Sequence, residues 1–278
     1  MIEPKTPQTG ADVAGHYDEL DSVYREIWGE HVHHGLWRTG RESVAQATDA
    51  LSDLVLAFLR PATGSRVADI GCGYGATAAR FIRARGIQVV GFTLSEEQAK
   101  VARLRSPKLE VHVRDWLENQ MPDEAFDFAY AIESTEHIPD KLRLFQEIAR
   151  TLKPKGRLVI CAWVANHRAR PWQVRHLLEP ICREGRLPGM GTRLEYQQWA
   201  EAAGLEGVAI QDLTANVSRT WSIVSRRVVW RLLTDQRYQR YIFDKGNRQR
   251  QFALSLPRLM LAYRTRAMRY WVMTFRKP

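Results

Sequence analysis

Apolar residues recur at i, i+3 and i+4 spacing through Val44, Ala47, Leu51, Leu54 and Phe58, and Pro61 stops the run. That period marks a helix with one buried stripe, and residues 17–60 as a whole read as helical. From Arg66 onward, short apolar runs alternate with longer amphipathic ones. Residues 66–70, 88–92, 110–113, 126–131 and 158–164 read as strands, and 76–85, 96–104 and 141–152 as helices. Such alternation points to parallel βαβ units with helices on both faces of a sheet. After Val164 the pattern loosens. Residues 192–203 read as a helix closed by Gly204, 208–213 as a strand, 214–265 as helical, basic and aromatic, and 270–275 as the last strand. The expectation is an α/β, doubly wound, mostly parallel seven-stranded sheet, with an N-terminal helical cap and a helical insertion before the last strand. Its expected divisions are a cap at 1–60, a core at 61–213, a basic insertion at 214–267 and a final core strand at 268–278.

Composition narrows the setting. With 278 residues, 45% apolar and 26% charged, the chain has the make-up of a globular protein of one or two domains. Its longest apolar run, Leu158 to Ala165, suits a buried strand and falls far short of the roughly 18 residues of a membrane span. The N-terminal MIEPKTPQTG has no apolar stretch of a secretory signal. Cys72, Cys161 and Cys182 are odd in number and widely spaced, so they suggest neither a disulfide framework nor a zinc pattern. A reducing cytoplasm is the expected location. Charge is uneven: residues 219–278 hold 15 Lys and Arg against two acids, a net +13, which leaves the remainder at −3. A basic tail on a near-neutral body calls for an anionic partner: a phosphate-bearing substrate, an anionic membrane or a nucleic acid. No RNA-recognition fingerprint is present, so nucleic acid is not expected. The pattern sets no oligomeric state.

The stretch Val67-Ala-Asp-Ile-Gly-Cys-Gly-Tyr-Gly75 joins a predicted strand to a predicted helix. Glycines there allow a sharp turn and close approach of a ligand to the backbone. The spacing Gly71-x-Gly73-x-Gly75 differs from the G-x-G-x-x-G of a dinucleotide site, and the Lys-Ser/Thr of a P-loop is missing. An acid inside the strand followed by G-x-G-x-G resembles motif I of class I S-adenosylmethionine (SAM) methyltransferases; a tight turn without ligand is the plainer alternative. The resemblance implies that Asp69, directly or through water, and the glycine loop meet the amino-acid end of SAM. The second strand ends Val90-Gly-Phe-Thr-Leu-Ser95, without the acid that many nucleotide-binding folds use to hold a ribose. Its G-x-T-L-S-x-x-Q resembles tocopherol-type methyltransferases and cyclopropane synthases, which implies ribose contacts by Thr93 and Gln98, with Leu94 beside them. Thr93 and Ser95 also suit helix caps. After the third strand, Asp115 can accept from an adenine amine and Trp116 can stack on its ring.

Two carboxylates and an imidazole, Glu133, Glu136 and His137, follow the fourth strand within five residues. That is the sheet edge where α/β proteins bind ligands. His137 suits a general base at neutral pH, and Glu133 and Glu136 suit orienting it or stabilising positive charge on a substrate. A surface helix start capped by Asp140 is the alternative.

Taken in order, the segment from Tyr17 through Ile-Trp-Gly-Glu-His-Val-His-His-Gly35, the glycine loop, Gly91-Phe-Thr-Leu-Ser95, Ile132-Glu-Ser-Thr-Glu-His-Ile-Pro-Asp-Lys141 and the terminal Phe275-Arg-Lys-Pro278 resemble γ-tocopherol C-methyltransferases and their natural-product relatives. The resemblance runs from residue 17 to the end. It implies a Rossmann-like fold and transfer of methyl from SAM, leaving S-adenosylhomocysteine, to a small and largely apolar acceptor. A terpenoid, a prenylated phenol or a related natural product is implied, with carbon methylated. Methylation of an allylic diphosphate alkene, N-methylation of an alkaloid and a noncatalytic SAM-binding module are the alternatives. It further implies that Ile132 joins the cofactor contacts, and that Tyr17, Trp28, His34 and Trp37 close or line the acceptor pocket, with cation–π attraction to the sulfonium. No complete ligand set accompanies His31, His33 and His34, so no metal is expected. In the basic insertion, Trp221, Val224, Val228 and Leu232 share one helical stripe among arginines. Arg226 and Arg227 are the expected acceptor contacts there, as forks on a diphosphate, with peripheral membrane attachment and a plain solvated face as the other readings.

Overall fold

Strands β1 (Arg66–Ile70), β2 (Gln88–Thr93), β3 (Glu110–Val113), β4 (Phe126–Ile132), β5 (Leu152–Ala165), β6 (Glu206–Asp212) and β7 (Met268–Arg276) form one sheet. Their order is β3-β2-β1-β4-β5-β7-β6. β1 to β5 run parallel, and β7 inserts antiparallel between β5 and β6. The computed structural model describes residues 1–9, 12, 13, 15, 18, 25–243 and 250–278. Among these, the Rossmann-like, mostly parallel seven-stranded sheet expected from the sequence is present.

Side chains of successive strand residues point to opposite faces, and both faces are covered. Val67, Val89, Tyr130, Val159 and Cys161 pack on one side with Leu51, Val55 and Leu59 of α1 (Val44–Leu59) and Phe81 of α2 (Ala76–Arg85). Ala68, Ile70, Val90, Phe92 and Ile160 pack on the other with Leu144, Phe145 and Ile148 of α4 (Lys141–Thr151) and Tyr196 of α5 (Arg193–Ala202). Helix α3 (Glu96–Arg105) lies between β2 and β3 in the chain. Helix starts follow local chemistry: Ser43 and Gln46 form a capping box on α1, and Ser95 and Asp140 accept the Gln98 and Arg143 amides that open α3 and α4.

Three expectations change. Residues 29–43 are not helical. Gly29 and Gly40 take φ of +92° and +78°, and a Cβ at Gly35 would lie 2.7 Å from the Ala47 Cβ. This stretch is instead a strap, tied by Leu36 N–H to Ala47 O at 2.8 Å and by Trp37 N–H to Asn216 O at 2.9 Å. Strand β5 starts at Leu152, before its apolar run, because Lys155 and Gly156 continue backbone bonding with Lys277. In the insertion, made of α6 (Arg219–Thr234), α7 (Gln236–Phe243) and α8 (Arg250–Arg264), the stripe Trp221, Val224, Val228 and Leu232 faces the core. On α6, Val229, Trp230 and Leu233 are left exposed. No helix among the described residues is long and apolar enough to cross a membrane.

Candidate active site

The carboxyl ends of β1, β2 and β4 open into one cleft, the position where open α/β sheets bind ligands. Gly71, Gly73, Thr93, Leu94, Gln98, Asp115, Trp116, Ile132, Glu133 and His137 all line it. The glycine loop is pinned by the Gly71 and Cys72 amides, which both donate to Phe92 O at 2.9 and 2.8 Å. At Gly71, with φ +81°, a Cβ would stand 2.2 Å from that of Ser134, so this glycine lets two loops touch. At Gly73, with φ +51°, a Cβ would meet nothing within 4 Å. The space in front of Gly73 is therefore open to a ligand. Gly75 does not line the cleft; it opens α2 and packs on Ala102 and Leu109.

Asp69 sits behind the loop, buried, and accepts from the Tyr130 hydroxyl at 2.6 Å. Burial pushes its pKa up to about 7, against the lowering pull of that bond. Thr93 donates to Gln98 Oε1 at 2.8 Å, so the two stand as one polar pair, while Ser95 caps α3. Asp115 accepts the Leu117 amide at 2.9 Å and caps the turn Trp116–Glu118. Trp116 meets Phe92 edge-on at 4.9 Å, and its indole N–H is buried without a hydrogen-bond partner among the described residues. The set fits SAM: an aromatic and apolar wall with an acid for adenine, a Thr–Gln pair for ribose hydroxyls, and open backbone at Gly73 for the amino-acid end.

Glu133 continues β4 with φ +55°, a conformation uncommon for a residue with a Cβ and concentrated at functional sites. Its Oε1 accepts from His34 N–H at 2.8 Å and from the Tyr270 hydroxyl at 2.7 Å. Its Oε2 lies 2.7 Å from His34 Nδ1. A carboxylate only accepts, so Nδ1 carries the hydrogen and donates it. In the neutral imidazole, Nε2 of His34 is then the acceptor for the Tyr263 hydroxyl, 3.1 Å away. Burial alone would raise the Glu133 pKa, but the charge of His34 when it is protonated, and the hydrogen bonds His34 donates, hold it below the ordinary carboxylate value. A carboxylate, an imidazole and a phenol thus form a chain starting at the cleft. Trp221 packs edge-on against His34 at 5.1 Å, and the Tyr263 and Tyr270 rings flank it.

The other expected residues fall elsewhere. Glu136 does not line the cleft. It is buried, accepts from Trp163 N–H at 2.8 Å and from Thr135 at 3.1 Å, and burial plus the charge of Glu133 push its pKa up to about 8. Beside it, buried Lys141 donates to the carbonyls of Thr135, Glu136 and Ile138. This pair fastens the turn that carries His137. Trp28 meets Trp221 edge-on at 6.2 Å, and Trp37 donates to Thr220 at 3.1 Å, so both clamp the strap onto α6 without lining the cleft. Arg227 donates to Ile27 O, and Arg226 is exposed. Tyr17 lies outside the described residues. His31 and His33 approach Thr77 at 3.4 and 3.5 Å, and His33 donates to His34 O, which seats the strap on α2. Burial and the neighbouring His33 push the His31 pKa down to about 2.

Tyr263 and Tyr270 were not legible in the sequence. They stand 229 and 137 residues from their partners His34 and Glu133, one on a helix and one on a strand, with no local motif.

The profile of a family described as "Methyltransferase domain" matches residues 43–210. A probable chloroplastic tocopherol O-methyltransferase of Oryza sativa subsp. japonica is 28% identical over 96% of this chain and 78% of its own. The 27-O-demethylrifamycin SV methyltransferase of Amycolatopsis mediterranei is 29% identical over 98% of this chain and 99% of its own. Among solved structures, the [4+2]-cyclase SpnF superposes with a TM-score of 0.83 at 26% identity, covering 99% of this chain and 98% of that one.

Proposed function

We propose, from the premise that this chain belongs to the methyltransferase domain family and is a SAM-dependent methyltransferase, that its acceptor is a largely apolar natural product bearing a hydroxyl, and that His34 removes the hydroxyl proton. The observation that carries this reading is the Glu133–His34–Tyr263 chain, whose first member lines the cofactor cleft. A neutral hydroxyl is a poor nucleophile, and a positioned base contributes roughly 10²–10⁴-fold. Glu133 fixes the His34 tautomer so that Nε2 presents its lone pair. An acceptor hydroxyl in the place of the Tyr263 hydroxyl, or bonded to it, delivers its proton to Nε2, and the Glu133 carboxylate stabilises the imidazolium that forms.

When bound, SAM supplies an electrophilic methyl on a sulfonium centre. Gly73 would give its amino-acid end room at the backbone, with Gly71 shaping the loop against Ser134 and the Asp69 carboxyl behind it. Thr93 and Gln98 would hold the ribose, while Asp115, Trp116, Leu94 and Ile132 would hold the adenine. His137 stands in the same cleft wall and would face the bound cofactor. The arrangement works mainly by holding methyl and nucleophile near 3 Å.

Oxygen is the favoured atom. The rice relative is named a tocopherol O-methyltransferase, and the name of the Amycolatopsis relative specifies a 27-O-demethyl compound. Carbon methylation is the second reading, because the same deprotonation makes a phenolate ring carbon nucleophilic. The exposed Val229, Trp230 and Leu233, rimmed by Arg226 and Arg231, further support docking of the insertion on an anionic membrane that holds an apolar acceptor. The test is a screen of hydroxylated prenyl and polyketide compounds with methyl-labelled SAM, followed by NMR location of the label. Label on oxygen is expected. Label entering only acceptors without a hydroxyl removes the need for the base and sinks the proposal.

A further inference from the structure

A second hollow opens at the carboxyl edge of the sheet, on its β5–β7–β6 side. Its volume is ≈ 830 Å³, and Arg219, Arg264, Arg266 and Arg269 all line it. One acid, Asp212, shares the wall and pairs with Arg269 at 3.3 Å. Among the described residues, Arg219, Arg264 and Arg266 have no carboxylate within 4.0 Å. The Nε of Arg269 is buried and makes no hydrogen bond among those residues. Four guanidinium groups around one hollow repel each other. Their planar forks are matched by oxyanions, which take two parallel N–H bonds from each.

The rest of the wall is of another kind. Pro257, Met260 and Leu261 of α8 give it an apolar side, and Met260 and Leu261 are 41% and 43% exposed. Tyr263 lines it as well. The residue whose hydroxyl meets His34 therefore also borders the hollow. Arg269 is on β7, two strands from β4, and strands lie about 4.8 Å apart, so the hollow begins about 10 Å along the edge from Glu133. A small molecule spans that distance.

We propose that this hollow is the docking site for an oxyanion head group, carboxylate or phosphate, on the apolar acceptor, and that Arg264 and Arg269 grip it. The word acceptor rests on the function proposed above; the binding itself does not. The basic residues expected from the sequence to serve this purpose, Arg226 and Arg227, lie outside the hollow.

Calorimetric titration tests it without turnover, using octyl phosphate, octanoate and octanol as probes on the whole chain. Either anionic probe should bind at least 10-fold tighter than octanol, and added salt should weaken it. Phosphate against carboxylate then tells which head group the site prefers. Arg264→Ala, at an exposed position, should lower affinity for the preferred anion several-fold, and Arg264→Ala with Arg269→Ala by 10-fold or more. SAM affinity of each variant reports that the fold is intact. Equal affinity for octanol and the anions, or anion binding unchanged in the folded double variant, overturns the proposal. Because no methyl is transferred in this experiment, failure of the His34 base leaves its result standing, and the reverse holds too.

Discussion

Replacing Glu133 by glutamine keeps the side-chain shape and removes one charge. The carboxylate accepts three hydrogen bonds, two from His34 and one from Tyr270. An amide offers one accepting oxygen. Placed at the Oε1 position, that oxygen still serves His34 N–H and the Tyr270 hydroxyl, but the new NH₂ then faces the Nδ1 hydrogen of His34. Two donors meet, and the imidazole relieves the conflict by moving its hydrogen to Nε2. The atom that accepted from Tyr263 becomes a donor and can no longer remove a proton. Loss of the correct tautomer costs on the order of 10⁴ in rate in a related carboxylate–histidine pair, and we expect Glu133→Gln to lower kcat by roughly 10³–10⁴. The SAM dissociation constant should change little, since the residues placed around its adenine, ribose and amino-acid end are untouched. Thermal stability should fall by about 2 kcal/mol, the size of one hydrogen bond to a charged group. The assay is initial-rate formation of S-adenosylhomocysteine, with SAM binding by calorimetry as the control. A folded Glu133→Gln protein with wild-type kcat would falsify the relay.

Three further outcomes follow from the same geometry. Gly73→Val puts a β-branched side chain at positive φ and into the open space of the cleft; calorimetry should show SAM affinity lowered by 10-fold or more, whereas unchanged affinity in the folded variant means the cofactor lies elsewhere. The Asp69 pKa stands near 7, above the unfolded value near 3.8, so the folded chain holds the extra proton between them and stability should fall as pH rises from about 4 to 7. If the SAM ammonium lies nearby, it favours the carboxylate, so binding at pH 6.5 should release protons, seen as a buffer-dependent heat that Asp69→Asn removes; a heat independent of buffer in the wild type contradicts this. Trp230→Ser with Leu233→Ser should weaken sedimentation with anionic liposomes while leaving SAM affinity alone; retention equal to wild type shows that this face does not dock there.

The sheet was readable because its information is local. Apolar runs between amphipathic stretches identify buried parallel strands, and the glycine loop names the edge at which the cleft opens. The cleft wall was readable for the same reason: Thr93 ends β2, Gln98 stands in the first turn of the helix that follows, and Asp115 and Trp116 come just after β3. What the pattern hid depends on contacts between distant segments. The strap at 29–43 carries helix-like spacing at Val32 and Leu36, yet Gly35 must slip past Ala47 and Trp37 must reach Asn216. His34 looked like part of an aromatic lid, and only the approach of Glu133 and Tyr263 shows it as an oriented imidazole. Glu136 illustrates the converse. A carboxylate after a strand reads as functional, but the Trp163 amide takes it inward. The arginines of the second hollow were hidden likewise, since Arg219, Arg264 and Arg269 meet there from α6, α8 and β7.

Two histidines are candidates for the base, His34 buried behind Glu133 and His137 in the cleft wall, and telling them apart is the most direct test. With an acceptor found by the labelled-SAM screen, single-turnover methyl transfer should be measured for wild type, His34→Ala and His137→Ala, with SAM affinity taken alongside. The account predicts a rate lowered roughly 10²–10⁴-fold in His34→Ala with SAM binding intact, and a smaller loss in His137→Ala. A His34→Ala protein that transfers methyl at the wild-type rate, while His137→Ala does not, contradicts it and gives the base to His137.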